Sequence, residues 1–248
     1  MLSKIERYIF ETREDWKKVR KGLFTGSRIS EIIPGVSREM TDAELEQYKK
    51  ENPKGRAKNI SDPYGISDGA DTYIMDLVAA IEDVPDEDIQ TFDMLRGIQV
   101  EPFAVMAYAE KYGYDVNSDE FIYTSQNGTV FFVGDNIIGA TPDVIIQKKK
   151  ISQFKCPKSK NHLRYILKVN AENFKEKLSD YYWQMQTEML LAEVPEADFV
   201  TYDDRFPRKA MQMKVITIQA NKEDQQFIVD KARICEARKQ EYLNSLPQ

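Results

Sequence analysis

The order of elements in this 248-residue chain predicts an α/β fold, a central mixed β-sheet flanked by helices. Three observations predict it. Apolar residues recur at helical spacing in residues 69–82, 88–113, 176–194 and 221–246. Between 121 and 157 lie short runs rich in β-branched and aromatic residues, FIYTS, VFFVG, ATPDVIIQ and ISQFKCP. Two more such runs, ADFVTYD and MQMKVITIQ, separate the last two helical patterns. With 42% hydrophobic residues the chain can bury one sizeable core, so residues 1–248 are read as a single domain.

Taken in order, Thr12 is the expected cap of a short helix in TREDWKKVRK, which Gly22 ends. Ser27 is the expected N-cap of a helix through Ile33, stopped by Pro34 and Gly35. Thr41 and Glu44 form a capping-box pair at the start of a charged surface helix, TDAELEQYKKEN. Residues 52–69 have the Gly, Pro, Asn and Ser content of a loop. The core helix of 69–82 follows, and then a longer helical pattern in which Pro102 predicts a kink or a start. Asn127-Gly128 marks a hairpin turn between FIYTS and VFFVG. ATPDVIIQ, the lysines at 148–150 and ISQFKCP read as strand, tight basic turn and strand. Residues 159–174 have no decisive pattern, and Ser179 opens the next helix. The runs at 197–203 and 211–219 read as a hairpin around DDRFPRKA, and a long amphipathic helix closes the chain.

Composition narrows the chemistry. The two cysteines, Cys156 and Cys235, argue against a disulfide framework or a structural zinc site. A single histidine, His162, removes multi-His metal sites and most Ser–His or Cys–His schemes. Neither a Walker-type loop nor GxGxxG occurs, which argues against NTP hydrolysis and dinucleotide chemistry. Oxygen ligands and lysines remain, the donors of a hard cation such as Mg²⁺ or Mn²⁺. No apolar run reaches the length of about 18 residues that crosses a membrane, and charged residues interrupt the start, MLSKIERYIF. A cytoplasmic protein is expected. The net charge is −6, yet residues 144–170 contain no acid and carry Lys148, Lys149, Lys150, Lys155, Lys158, Lys160, Arg164 and Lys168. Such a strip suits a polyanion even on an acidic protein.

The candidate centre lies beside that strip. Asp143 is expected on the first strand of the basic hairpin, and Gln153 and Lys155 on one face of the second, since alternate residues of a strand share a face. An acid, a second oxygen ligand and a lysine at the ends of paired strands would make a Mg²⁺ site for phosphodiester hydrolysis. Glu101 stands in an otherwise apolar run with Ile98, Val100 and Phe103, where a carboxylate needs a cation: Arg96, a lysine or a metal. Gly26 and Ser27, flanked by Arg20 and Arg28, offer either a phosphate site at a helix start or a plain capped helix. Tyr181 and Gln184 share a helix face at i, i+3.

Pro142-Asp143, nine residues, then Gln153-Phe154-Lys155 resembles the PD-(D/E)XK nuclease motif with its second acid replaced by an amide. With Lys155-Cys156-Pro157, Arg20-Lys21-Gly22 and Ser27 after Trp16, Arg96-Gly97 with Glu101, and Tyr181 with Gln184 and Gln186 in the same order, the chain resembles the lambda exonuclease or YqaJ-like viral recombinase family from about Asp15 to Met189. The resemblance implies a restriction-endonuclease-like core, with 38–66 as a variable insertion. It implies that Asp143, Glu101, the residue at 153 and the Phe154 main-chain carbonyl hold one or two Mg²⁺ ions, with Mn²⁺ as a substitute. Lys155 would orient or deprotonate the attacking water. Arg20 and Ser27, with Arg28 beside them, would hold a 5′ phosphate, Gln184 would support the site next to Tyr181, and Lys158 and Lys160 would lie along the DNA.

The implied activity is 5′→3′ exonucleolytic hydrolysis of double-stranded DNA from its ends in a phage-type recombination system. The implied assembly is a homotrimeric ring, and the implied partner a single-strand annealing protein. Gln153 departs from the pattern: it keeps a carbonyl oxygen but loses a negative charge, which predicts weakened metal binding and an impaired enzyme. Three accounts stay open: a Glu→Gln substitution introduced to trap DNA, a catalytically inactive DNA-binding homologue, or an active variant or shifted alignment. Asp119 and Glu120 are expected on the far side of a hairpin, unsuited to replace the missing acid. A structure-specific endonuclease on the same fold is the alternative nuclease.

Overall fold

A computed structural model describes residues 1–84, 91–125, 129–147 and 149–247. The elements in chain order are β1 (Ile5–Phe10), α1 (Arg13–Arg20), β2 (Phe24–Thr25), a 3-10 helix (Gly26–Ile32), β3 (Val36–Glu39), α2 (Asp42–Glu51), β4 (Asn59–Asp62), α3 (Asp68–Ile81), α4 (Phe92–Tyr112), β5 (Phe121–Tyr123), β6 (Thr129–Gly134), β7 (Ile138–Ala140), β8 (Val144–Ile146), β9 (Lys150–Lys155), α5 (Ser159–Lys168), α6 (Phe174–Lys177), α7 (Ser179–Ala192), β10 (Glu196–Tyr202), a second 3-10 turn (Lys209–Met211), β11 (Met213–Gln219) and α8 (Lys222–Ser245). The α/β class holds.

The principal sheet has five strands in the order β11-β10-β9-β8-β5, and a second has four in the order β1-β6-β7-β2. The principal sheet is mixed: β9 and β10 are parallel, joined through α5–α7, and the remaining pairs are antiparallel. Its two faces are covered by different helices. Phe154 packs with Val100, Ala104, Val105 and Tyr108 of α4, whereas Ile151, one face over, packs with Met185 and Met189 of α7. This alternation along β9 puts Gln153 and Lys155 on the α7 side.

Several caps are where the sequence expects them. Thr12 accepts from Asp15 N, and Thr41 and Glu44 close a capping box; Asn221, which the sequence reading did not single out, caps the last helix by accepting from Glu223 N and Asp224 N. Elsewhere tertiary context wins. Ser27 does not cap an α-helix: the chain turns into a 3-10 helix directly off β2, so Thr25 takes the N-cap position and Ser27 lies inside the turn. The loop at 52–69 contains β4, which pairs with β3 in a small two-stranded sheet. FIYTS and VFFVG do not pair with each other. β5 joins β8 and β6 joins β1 and β7, because β1, which the sequence pattern left unread, offers β6 a full antiparallel partner. The Asn127-Gly128 turn lies outside the described residues, as does Lys148. Pro102 sits inside α4, which runs on past the missing N–H. ATPDVIIQ is not one strand: β7 ends at Ala140 and β8 starts at Val144, and the intervening Thr141–Asp143 carries the chain from one sheet to the other. Pro142, lacking an N–H, suits a break in the ladder.

Buried polar groups are paired across these layers. His162 bridges Thr201 Oγ1 (2.9 Å) and the Met211 carbonyl (2.8 Å), so the lone histidine is structural. Asp198, 1% exposed, accepts from Tyr108 Oη (2.5 Å), Thr217 Oγ1 (2.5 Å) and Lys150 Nζ (3.2 Å), tying β9, β10, β11 and α4 together. Replacing Asp198 by Ala removes three buried hydrogen bonds and leaves Thr217 Oγ1 without its acceptor, so unfolding in urea should show a loss of about 3 kcal/mol.

Candidate active site

The hairpin of β8 and β9 aligns Val144 with Ser152 and Ile145 with Ile151, so the next step outward sets Asp143 opposite Gln153. Asp143 is fixed at the sheet-to-sheet crossing from both sides. Thr124 N donates to its carbonyl at 3.1 Å, and Phe154 N donates to its Oδ2 at 2.6 Å. Burial pushes the Asp143 carboxyl upward, against the pull of Lys155, the Phe154 amide and the Gln153 side chain. Asp143 therefore stands just outside the strand on which the sequence puts it.

Glu101 reaches this point from α4. Its Oε1 accepts from Tyr123 Oη at 3.1 Å, and burial together with the Asp143 charge pushes its carboxyl up to about 7. Arg96 is not its partner: that guanidinium bonds Asp203 (3.2 Å) and Asp204 (2.6 Å). Glu101 and Asp143 line one cleft of about 600 Å³ with Tyr123, Ser125 and an apolar wall that includes Ile98 and Val105.

On the other face of the sheet, Lys155 Nζ lies 5.2 Å from the Tyr181 ring centre, a cation–π contact that holds the ammonium against α7. Gln184, one turn along, donates from Nε2 to Glu188 Oε1 at 2.8 Å. Glu188 is the acid that reading the sequence missed. It is 1% exposed, and burial and the Asp143 charge push its carboxyl well up, opposed by Gln184 and Lys155. The available signal was a lone acid in the apolar run of α7, four residues after Gln184 and seven after Tyr181, hence on the same face.

The basic residues are not equivalent. Arg20 stacks on Trp16, 4.7 Å from the ring centre, and reaches Thr25 Oγ1 at 3.4 Å. Ser27 Oγ lies 3.4 Å from the same hydroxyl. Arg28 is committed to Glu31 (2.7 and 2.8 Å) and Asp76 (2.8 Å), above the Tyr73 ring. Arg20, Lys21, Thr25 and Arg28 nonetheless line one hollow of about 580 Å³. Lys158 pairs with Asp93 at 2.9 Å, Lys160 is exposed, and Lys150 is consumed by Glu196 and Asp198. The basic strip of the sequence is thus divided in space. The Cys156 thiol, pushed up to about 12 by burial, is no nucleophile.

Among the described residues no three His, Cys, Asp or Glu side chains form a ready metal cluster. The donor set still suits a hard cation: every candidate ligand is oxygen, and two buried oxygens, Gln153 Oε1 and Glu188 Oε2, have no hydrogen-bond partner. A buried polar atom left unpaired costs about 1–3 kcal/mol, which a bound cation would offset.

Residues 15–195 match the YqaJ-like viral recombinase domain. No match is found among curated proteins. Among solved structures, the chain is similar to an alkaline exonuclease (LHK-Exo) from Laribacter hongkongensis, with 23% identity, a TM-score of 0.64, and 93% of this chain and 94% of that one covered. It is also similar to a phage-related exonuclease from Haemophilus somnus 129PT, with 14% identity, a TM-score of 0.63, and 94% and 100% covered. At these identities the likeness establishes the shared fold.

The Glu101 carboxyl supplies a pH signature. Folding raises it from 4.5 to about 7, so the native state keeps a proton that the unfolded chain has already released. Stability of the metal-free protein should fall as pH rises across that window. Thermal unfolding of wild type beside Glu101→Gln should show the variant gaining on wild type from pH 4.5 to about 7 and level thereafter.

Proposed function

The chain belongs to the YqaJ-like viral recombinase domain family, and from that premise we propose that it is a Mg²⁺-dependent 5′→3′ exonuclease on double-stranded DNA ends, working in a phage-type recombination system. The observation that carries the reading is the meeting of Asp143, Gln153 and Lys155 at the crossing between the sheets, with Glu101 of α4 lining the same cleft as Asp143. Nothing in that arrangement suits a covalent intermediate: His162 is bonded on both ring nitrogens, and the half-buried Cys156 thiol is pushed up to about 12.

Asp143, Glu101, the Gln153 carboxamide and the Phe154 carbonyl would hold one or two Mg²⁺ ions, with Mn²⁺ acceptable in their place. When bound, such ions stabilise the charge that develops on the phosphoryl group and acidify water. Lys155, seated on Tyr181, orients the attacking water and handles its proton. Arg20, already ordered by Trp16, takes the 5′ phosphate through paired N–H donors near Ser27, and Arg28 shapes the same hollow. Tyr181 and Gln184 support the site from α7, and Lys158 and Lys160 lie along the duplex. A homotrimeric ring with a basic lumen would reconcile DNA binding with the net charge of −6. The 3′ overhang left behind would be taken by a single-strand annealing protein, in the cytoplasm of the host cell. That the LHK-Exo fold has been solved with dAMP agrees with a nucleotide product here.

On the motif positions alone, an amide at 153 leaves the cation site one charge short and lowers the rate. This favours, as the second reading, a DNA-binding homologue that does not cut. Release of nucleotides from 5′-phosphorylated linear duplex in Mg²⁺ separates the two. Asp143→Asn and Lys155→Ala should each abolish it, by about 10²-fold or more. If neither wild type nor Gln153→Glu releases nucleotides, the binding reading stands. Arg20→Ala should slow digestion of linear duplex; a variant that instead cuts closed circular DNA would identify an endonuclease.

A further inference from the structure

The residue at 153 is the weak point of the site, and the structure offers an acid beside it. Tyr181, Gln184 and Glu188 follow one another on the face of α7 turned toward β9, where Gln153 and Lys155 also point. Gln153 is 4% exposed and Glu188 1%. Each keeps one oxygen without a hydrogen-bond partner, Oε1 of Gln153 and Oε2 of Glu188. The Gln153 side chain favours the charged form of Asp143, and the Asp143 charge acts on Glu188. Among the described residues, Glu188 forms no ion pair and has Gln184 as its hydrogen-bond partner. Burial disfavours the charged form of such a carboxyl until a cation joins it, which is why buried charges are found paired or on metals.

We propose that Glu188, supplied by helix α7, is a further acidic metal ligand of this site, beside Asp143 and Glu101, and takes over the charge that strand β9 lacks at Gln153. This rests on the nuclease reading for its purpose but not for its geometry. α4 and α7 lie on opposite faces of the principal sheet, so Glu101 and Glu188 flank Asp143 from two sides. That separation accounts for the absence of a compact acidic trio among the described residues. Gln153 then has a defined part: its amide faces the Asp143 carboxylate, and its carbonyl oxygen remains as a neutral ligand. Gln184 becomes a positioning residue, holding Glu188 by Oε1 and leaving Oε2 to the metal. The amide at 153 is on this account a companion of Glu188, because carboxylates at both positions would crowd like charges around a site that already holds Asp143 and Glu101.

The test is Mn²⁺ binding by titration calorimetry on the full chain, run beside nucleotide release from linear duplex. Wild type should bind Mn²⁺ and cut. Glu188→Gln should keep its fold by circular dichroism, lose roughly 10- to 100-fold in Mn²⁺ affinity and lose cutting. The swap Gln153→Glu with Glu188→Gln should recover both; should the single variant not fold, Glu188→Asp decides instead, with a several-fold loss of Mn²⁺ affinity expected and wild-type affinity overturning the inference. Wild-type affinity in Glu188→Gln overturns the inference and leaves the nuclease reading intact. So does a wild type that neither binds nor cuts while Gln153→Glu does both. Loss of binding in Glu188→Gln with no cutting by wild type or Gln153→Glu keeps Glu188 as a ligand and removes the nuclease.

Discussion

The amide of Phe154 donates to the carboxylate of Asp143 at 2.6 Å, and the geometry of the centre follows from that bond. It forms where the chain leaves the four-stranded sheet at Ala140 and enters the five-stranded sheet at Val144. Had β7 run straight into β8, Asp143 would have been one more strand residue with its carboxylate fixed to one face. The break at Pro142 turns the carboxylate along the edge instead, between an α4 side that brings Glu101 and an α7 side that brings Lys155, Gln184 and Glu188. Thr124 holds the crossing from behind through both the Pro142 and Asp143 carbonyls.

Around this crossing, neutral and charged groups are sorted by depth. The deep face of the principal sheet carries a satisfied network centred on Asp198, in which each polar atom has a donor or acceptor and the function is cohesion. Near Asp143 the sorting is different: oxygens stay unpaired and carboxyls are held away from their ordinary range. Proteins tolerate such unpaid polar burial chiefly where a ligand or a reaction uses it. The contrast between the two clusters, both in the same sheet, sets the candidate site apart from the structural part.

Much of the secondary structure was legible because it rests on local rules. Thr12 and Thr41 cap helices through bonds that span three residues, and β8 pairs with β9 next along the chain. What was not legible depends on partners far along the chain. β1 exists because β6 offers it an antiparallel edge, and that pairing separates β5 from β6 and dissolves the hairpin their sequences suggest. Ser27 looks like a cap until β2 delivers the chain straight into a 3-10 turn. Arg96 looks like the natural partner of Glu101 until Asp203 and Asp204, from the end of β10, take it.

The sequence by itself determined the chemical type of the site: oxygen ligands, one lysine, no usable thiol or imidazole, and an amide at 153 where an acid is expected. Residue identity and spacing suffice for that, since alternation on a strand already joins Gln153 with Lys155. Only the tertiary structure decided what surrounds that amide. Glu188 lies thirty-five positions from Gln153 in the chain, and its relevance comes from the packing of α7 on one face of β9. Helical periodicity can say that Tyr181, Gln184 and Glu188 share a face, but not what the face meets. Burial then turns an ordinary glutamate into a carboxyl in search of a cation, because the cost of desolvating a charge is fixed by its surroundings and not by its place in the chain.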